Sequence, residues 1–138
     1  MRSWVHVVIS SILAFVFYQF FEWKVALIFV GGVLIDVDHY WWYIYKYKKW
    51  NLFECYTFYS DSIKKRNFDV NIGILLILHT VEFLIAVIIL AFYTELALAF
   101  LIGLLSHYIL DWIQVHNIAG RLIANPSIVM WVIKSIKN

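Results

Sequence analysis

The sequence predicts an all-α integral membrane protein: four transmembrane helices in an up-down-up-down bundle, with a short interfacial helix at the C-terminus. Three observations predict it. Of the 138 residues, 64% are hydrophobic and 14% charged, against ~45–50% apolar and ~25% charged in a soluble domain. Apolar runs of about 20 residues, the length that crosses a bilayer, recur four times. Two of the connections between them are so short that the runs they join must be antiparallel neighbours.

The first span covers about 4–21. It resembles a signal peptide in having one basic residue before an apolar run. Bulky Phe20, Phe21, Glu22 and Trp23 then stand where small residues would mark cleavage, so the expectation is a retained span. The second covers about 25–45, the third about 72–93 and the fourth about 96–115. Tight turns near Glu22–Lys24 and Thr94–Glu95 join one to two and three to four. A polar loop, 46–71, holds most of the charge and has no long apolar run. The tail, 127–138, sets Ile128, Trp131, Val132 and Ile136 against Lys134 and Lys137, the pattern of a helix lying in the membrane interface, with Pro126 at its start. The whole chain, 1–138, reads as one transmembrane domain.

Basic residues orient it. Arg2, Lys46, Lys48, Lys49, Lys64, Lys65, Arg66, Arg121, Lys134 and Lys137 fall on one side, and Lys24 on the other. The rich side is cytoplasmic by the positive-inside rule, which puts both termini and the long loop in the cytoplasm and the chain in the cytoplasmic (inner) membrane. Tyr40, Trp41, Trp42, Tyr43, Tyr45, Tyr47 and Trp50 read as an aromatic belt where the second span leaves the lipid. The basic residues lie beside spans, which argues against nucleic acid. A single cysteine, Cys55, excludes an internal disulfide and a thiolate zinc cluster.

Polar clusters interrupt each span: His6 with Ser10; Asp36, Asp38 and His39; His79 and Glu82; His107 and Asp111. Ionisable groups inside a bilayer are costly unless paired or bound, and no Lys or Arg lies within the spans. In an up-down-up-down order all four clusters fall toward the cytoplasmic end, roughly 5–15 Å below it at ~1.5 Å per residue. Asp36 with His39, His79 with Glu82 and His107 with Asp111 are three or four apart, so each pair shares a helix face. One histidine alone is more often a packing residue. Carboxylate and imidazole on each of three helices are the donor set of metal sites inside bundles. Without thiolates, Zn²⁺, Mn²⁺ or Fe²⁺ fits better than a closed structural zinc, and eight side chains suffice for one or two ions. Asp38 points about 100° from His39 and reads as a ligand of this or a second metal, a bridge to the first span, a group orienting a histidine, or, with Asp36, a catalytic carboxylate. Gly31, Gly32, Gly73 and Gly103 read as sites of close helix packing.

The order of an early histidine, GGVLIDVDH, a His-led third segment and LLSHYILD resembles the YdjM-like family of membrane-bound metal-dependent hydrolases. The matching residues are His6, then Gly32, Asp36, Asp38 and His39, then Ser106, His107 and Asp111. Ile35 replaces the family's proline. Of its middle motif, His-Arg-Gly-x-Thr-His-Ser, only His79 remains, with Ile74 at the first histidine and Glu82 as the replacement ligand. The resemblance implies a metal centre held by His6, Asp36, Asp38, His39, His79, Glu82, His107 and Asp111. With the buried position it implies hydrolysis of a phosphoester in a lipid or lipid-linked substrate, with membrane lipid as partner. Two other readings use the same residues: a divalent-cation or proton transporter or channel, and a metal-stabilised scaffold without catalysis.

Overall fold

A computed structural model describes residues 3–65, 74–119 and 126–137. Arg2, Arg66, Gly73, Arg121 and the side chain of His116 lie outside what is described. The described residues are all-helical, with no strand: α1 (Ser3–Phe21), α2 (Ala26–Val33), α3 (Val37–Tyr47), α4 (Leu52–Lys64), α5 (Val81–Ala91), α6 (Glu95–Ala119) and α7 (Ile128–Lys137). Two stretches are long and apolar enough to cross a membrane, Trp4–Tyr47 and Glu95–Ile113. Burial is inverted relative to a soluble core. Phe15 and Phe92 are 84% and 83% exposed, whereas His6 and His107 are 1% and 0% exposed. Such an exterior is suited to lipid rather than water.

The first hairpin forms where the tight turn was expected. Glu22 adopts a left-handed backbone (φ 50°), and a 3-10 turn, Glu22–Val25, follows. At this end Lys24 pairs with Glu95, tying the α1–α2 turn to the start of α6. Phe21, Ile28 and Ala99 fill the space beside the turn, with Leu13, Phe17, Val25, Leu27 and Ile102 around them.

α2 runs along α6 at backbone contact. A Cβ on Gly103 would overlap the Ile28 carbonyl oxygen, and one on Gly31 would overlap that of Phe100. Small residues let helices approach this closely, and dispersion between the backbones then holds them. One turn further down α6, His107 thereby reaches the end of α2.

Two expected spans are broken. The second is α2 and α3 joined by a 3-10 turn, Leu34–Asp36. The third departs further from expectation. Ile74–Leu76 is not helical, Ile77–His79 is a 3-10 turn, and α5 has only 11 residues. At ~1.5 Å per residue that is roughly 16 Å, too short to cross the ~30 Å hydrocarbon core. Thr80 sets the break. Its backbone is extended (φ −88°, ψ 153°) and its hydroxyl accepts from the Phe83 N–H (3.3 Å), an N-cap that starts α5 late. The 74–80 stretch is largely enclosed, with Ile74 and Thr80 at 0% and Leu76 at 3% exposure.

The 46–71 loop contains a helix that the polar composition concealed. Asn51 caps α4, accepting from the Phe53 and Glu54 N–H groups (2.9 and 3.2 Å). Phe58 packs on Tyr43 and Tyr47 (ring centroids 5.5 and 5.1 Å). The expected aromatic belt therefore divides. Trp41, Tyr45 and Trp50 are exposed, whereas Tyr43 turns inward to hold α4.

Two outcomes are expected. Gly103→Ala should destabilise the fold by about 1–3 kcal/mol, because backbone rather than a flexible side chain must give way; thermal unfolding in detergent measures it. Burial of Cys55 pushes its thiol up to about 11. At pH 8 roughly one thiol in a thousand is then ionised, so maleimide labelling should be slow until denaturant is added or pH approaches 11.

Candidate metal centre

Asp36, His79, His107 and Asp111 each place a ligand atom within 4.8 Å of the others. They come from the break between α2 and α3, the 3-10 turn before α5, and two successive turns of α6. His107 is fixed first. Its Nδ1 lies 3.0 Å from the Gly32 carbonyl oxygen. A carbonyl only accepts, so Nδ1 carries the proton and Nε2 presents a lone pair. His79 is fixed the same way from the other side: its Nδ1 stands 3.0 Å from Asp38 Oδ2, leaving Nε2 free.

The two Nε2 atoms face each other at 3.1 Å. Asp36 Oδ1 lies 3.4 Å from Nε2 of His107 and 3.7 Å from that of His79. Asp111 Oδ2 lies 3.3 and 3.7 Å from the same atoms. The imidazole–imidazole and imidazole–carboxylate separations thus run from 3.1 to 3.7 Å, and all four atoms lie within 4.8 Å of one another. Ligands ~2.0–2.1 Å from a zinc ion stand roughly 3.3 Å apart around a tetrahedron. The spacing therefore fits one ion, and these buried His and Asp groups could hold one. A lone cation neutralises the set; without it lone pairs oppose one another in a poorly hydrated interior.

Around this ring lies an outer set. Asp38, 6% exposed, also accepts from the Leu78 N–H (3.2 Å), and the Tyr108 hydroxyl donates to the Leu78 carbonyl (2.6 Å). The short turn bearing His79 is thus held from α3 and from α6. His6 stacks on the His107 ring (centroids 4.2 Å), and its Nε2 lies 3.3 Å from Asp111 Oδ1, turning Oδ2 toward the ring of donors. Groups in this relation orient ligands and set their basicity. His39 adjoins the ring with Nε2 3.8 Å from Asp36 Oδ1.

Of the eight expected ligands, the structure brings seven together and divides them into donors and supports. Glu82 is not brought to the site. Its carboxylate accepts from the Ser127 hydroxyl and from the Ile128 and Val129 N–H groups (3.1 and 3.3 Å), capping α7. The helix-face argument failed because His79 precedes the helix on which Glu82 sits. Asp38, expected as ligand or general base, has one oxygen engaged with His79 and Leu78. The supporting role of Tyr108 was missed; its place one residue after His107 was the available signal.

No protein-family model, curated protein or solved structure matches this chain.

Asp38→Asn should lower metal affinity about 10–100-fold with helix content retained, because an amide holds the His79 N–H less firmly than a carboxylate. Glu82→Gln should leave metal content unchanged while raising hydrogen exchange across α7. Competition with a chelator and exchange mass spectrometry separate the two.

Proposed function

We propose that the chain is a multi-pass, membrane-embedded metal-dependent hydrolase of the YdjM-like kind, acting on a phosphoester of a lipid or lipid-linked substrate. In this reading α1, α2–α3, α5 with its non-helical lead-in, and α6 form a four-helix bundle with both termini cytoplasmic, and α7 lies in the interface. The observation that carries it is the convergence of Asp36, His79, His107 and Asp111 on a single point. A bound divalent ion would supply Lewis acidity and acidify water, the two requirements of phosphoester hydrolysis. Zinc suits the spacing; manganese and iron suit the donor types.

The chain's own residues define the rest. The side chains of Asp36 and Asp111 are 38% and 26% exposed, whereas that of His107 is 0%. Substrate thus meets the carboxylate edge, while the imidazoles form the enclosed back. Asp36 is the more exposed of the two carboxylates beside the imidazoles and the one assigned to take a proton from an attacking water. Asp38 works from behind, by fixing His79. An amphiphile can bring its headgroup to this depth from the bilayer, which favours lipid over a soluble ester.

A conduit for protons or cations is the second reading, favoured by the 3.1 Å approach of His79 to His107, which a shared proton would also suit. The far half argues against it. Phe21, Ile28 and Ala99 fill its interior, while Ser11, Gln19 and Thr94 are all exposed on the outside.

Metal content of protein purified in detergent without added metal tests the proposal. Wild type should carry at least one equivalent of zinc, manganese or iron, and His107→Ala should carry none. Chelation should abolish phosphodiester hydrolysis in mixed micelles, and Asp36→Ala, which removes a donor, should abolish it as well. Absence of metal in wild type after reconstitution overturns the proposal.

A further inference from the structure

Two polar groups beside the first ring of donors, Asp38 and His39, are not fully explained by it. Asp38, His39 and His79 form a second cluster whose ligand atoms lie within 4.8 Å of one another. Asp38 is 94% buried by its 6% exposure, and its Oδ1 has no hydrogen-bond partner. Nδ1 of His39 is also buried without one. Unpartnered polar atoms on an imidazole and a carboxylate at this depth are costly.

We infer that a second divalent cation binds beside the first, held by Asp38 Oδ1, His39 and the shared carboxylate of Asp36. This rests on the metal-centre reading above and adds a second ion to it. Asp36 is placed to be shared: its Oδ1 lies 3.4 Å from His107 Nε2 on one side and 3.8 Å from His39 Nε2 on the other. Asp38 is divided in the same way. Oδ2 holds the Nδ1–H of His79, so that ring serves the first ion through Nε2, and Oδ1 remains for the second.

Donor type points the same way: Asp36, Asp38 and Asp111 bring three carboxylates to the two positions, more than one ion with two imidazoles needs. The two positions also differ in accessibility. The first has four protein donors and a fully buried His107. The second has three, with the side chains of His39 and Asp36 24% and 38% exposed. The second ion is therefore the weaker bound, and the one with coordination positions left for water and substrate.

The test is titration of metal-stripped protein in detergent with Mn²⁺, followed by electron paramagnetic resonance. Wild type should bind two equivalents in two phases. Ions roughly 3.5–4 Å apart are magnetically coupled, so the second equivalent should replace the isolated six-line signal by a coupled spectrum. His39→Ala should bind one equivalent and keep the six-line signal. Saturation of wild type at one equivalent overturns the second site and leaves the first intact. A second equivalent that adds another isolated six-line signal also overturns it, because the ion then lies elsewhere. No bound Mn²⁺ overturns both. The coupling measurement needs no variant, so a misfolded His39→Ala protein does not protect the inference.

Discussion

Opposed lone pairs in a poorly hydrated interior are the constraint on which this structure turns. His79 and His107 each commit Nδ1 to an acceptor, Asp38 Oδ2 and the Gly32 carbonyl, and so each must present Nε2 to the other. Asp36 and Asp111 press two carboxylates onto the same point. In water such a set would disperse. Among the described residues Asp36 and Asp111 pair with histidines, and the surrounding apolar helices hold the set in place. Only an electron-poor guest can satisfy all four at once, so the arrangement makes sense as a receptacle.

The irregularities of the fold follow from that demand. A regular helix sends side chains out at fixed angles and keeps its carbonyls for itself. The Gly32 carbonyl is available to His107 because α2 gives way to a 3-10 turn just beyond it. Gly31 and Gly103 bring α6 near enough for that bond to form. The 3-10 turn bearing His79 supplies what a straight third helix would not: an imidazole entering the ring from the side, with its backbone held by Asp38 and Tyr108. In the membrane-embedded reading proposed above, non-helical backbone survives only where protein encloses it or water reaches it. The burial of Ile74, Leu76 and Thr80 meets the first condition, and the partly exposed carboxylates beside them meet the second.

The sequence made the polar clusters legible because their rarity in apolar runs is itself the signal. His6, Asp36, His39, His107 and Asp111 were found by spacing alone, and the pairs Asp36–His39 and His107–Asp111 do adjoin as helix periodicity requires. Glu82 shows where the same reasoning fails. Three-residue spacing implies a shared face only if the helix is unbroken, and Thr80 breaks it. Threonine followed by Val81 and Glu82 was a readable helix start, outweighed by the apolar run on either side. α4 was illegible for the opposite reason: its stabilising contacts are aromatic rings on α3, and Tyr43 reads as an interfacial residue until its partner Phe58 is known.

The two ends of the helix packet differ in a way that bears on function more than the site does. At the Glu22 and Thr94 turns the interior is apolar, and the charged pair Lys24–Glu95 stays at the surface. At the other end α3 and α6 continue about two turns past the site, whereas α1 begins three residues before His6 and α5 begins after His79. Among the described residues the donors therefore lie between the longer ends of α3 and α6, with the start of α7 held against the start of α5. A conductor needs polar continuity through both halves. A scaffold metal gains nothing from carboxylates left partly uncovered. In the proposed reading, a catalyst for an amphiphilic ester needs partly exposed carboxylates beside enclosed imidazoles, and Asp36 and Asp111 beside His107 supply them.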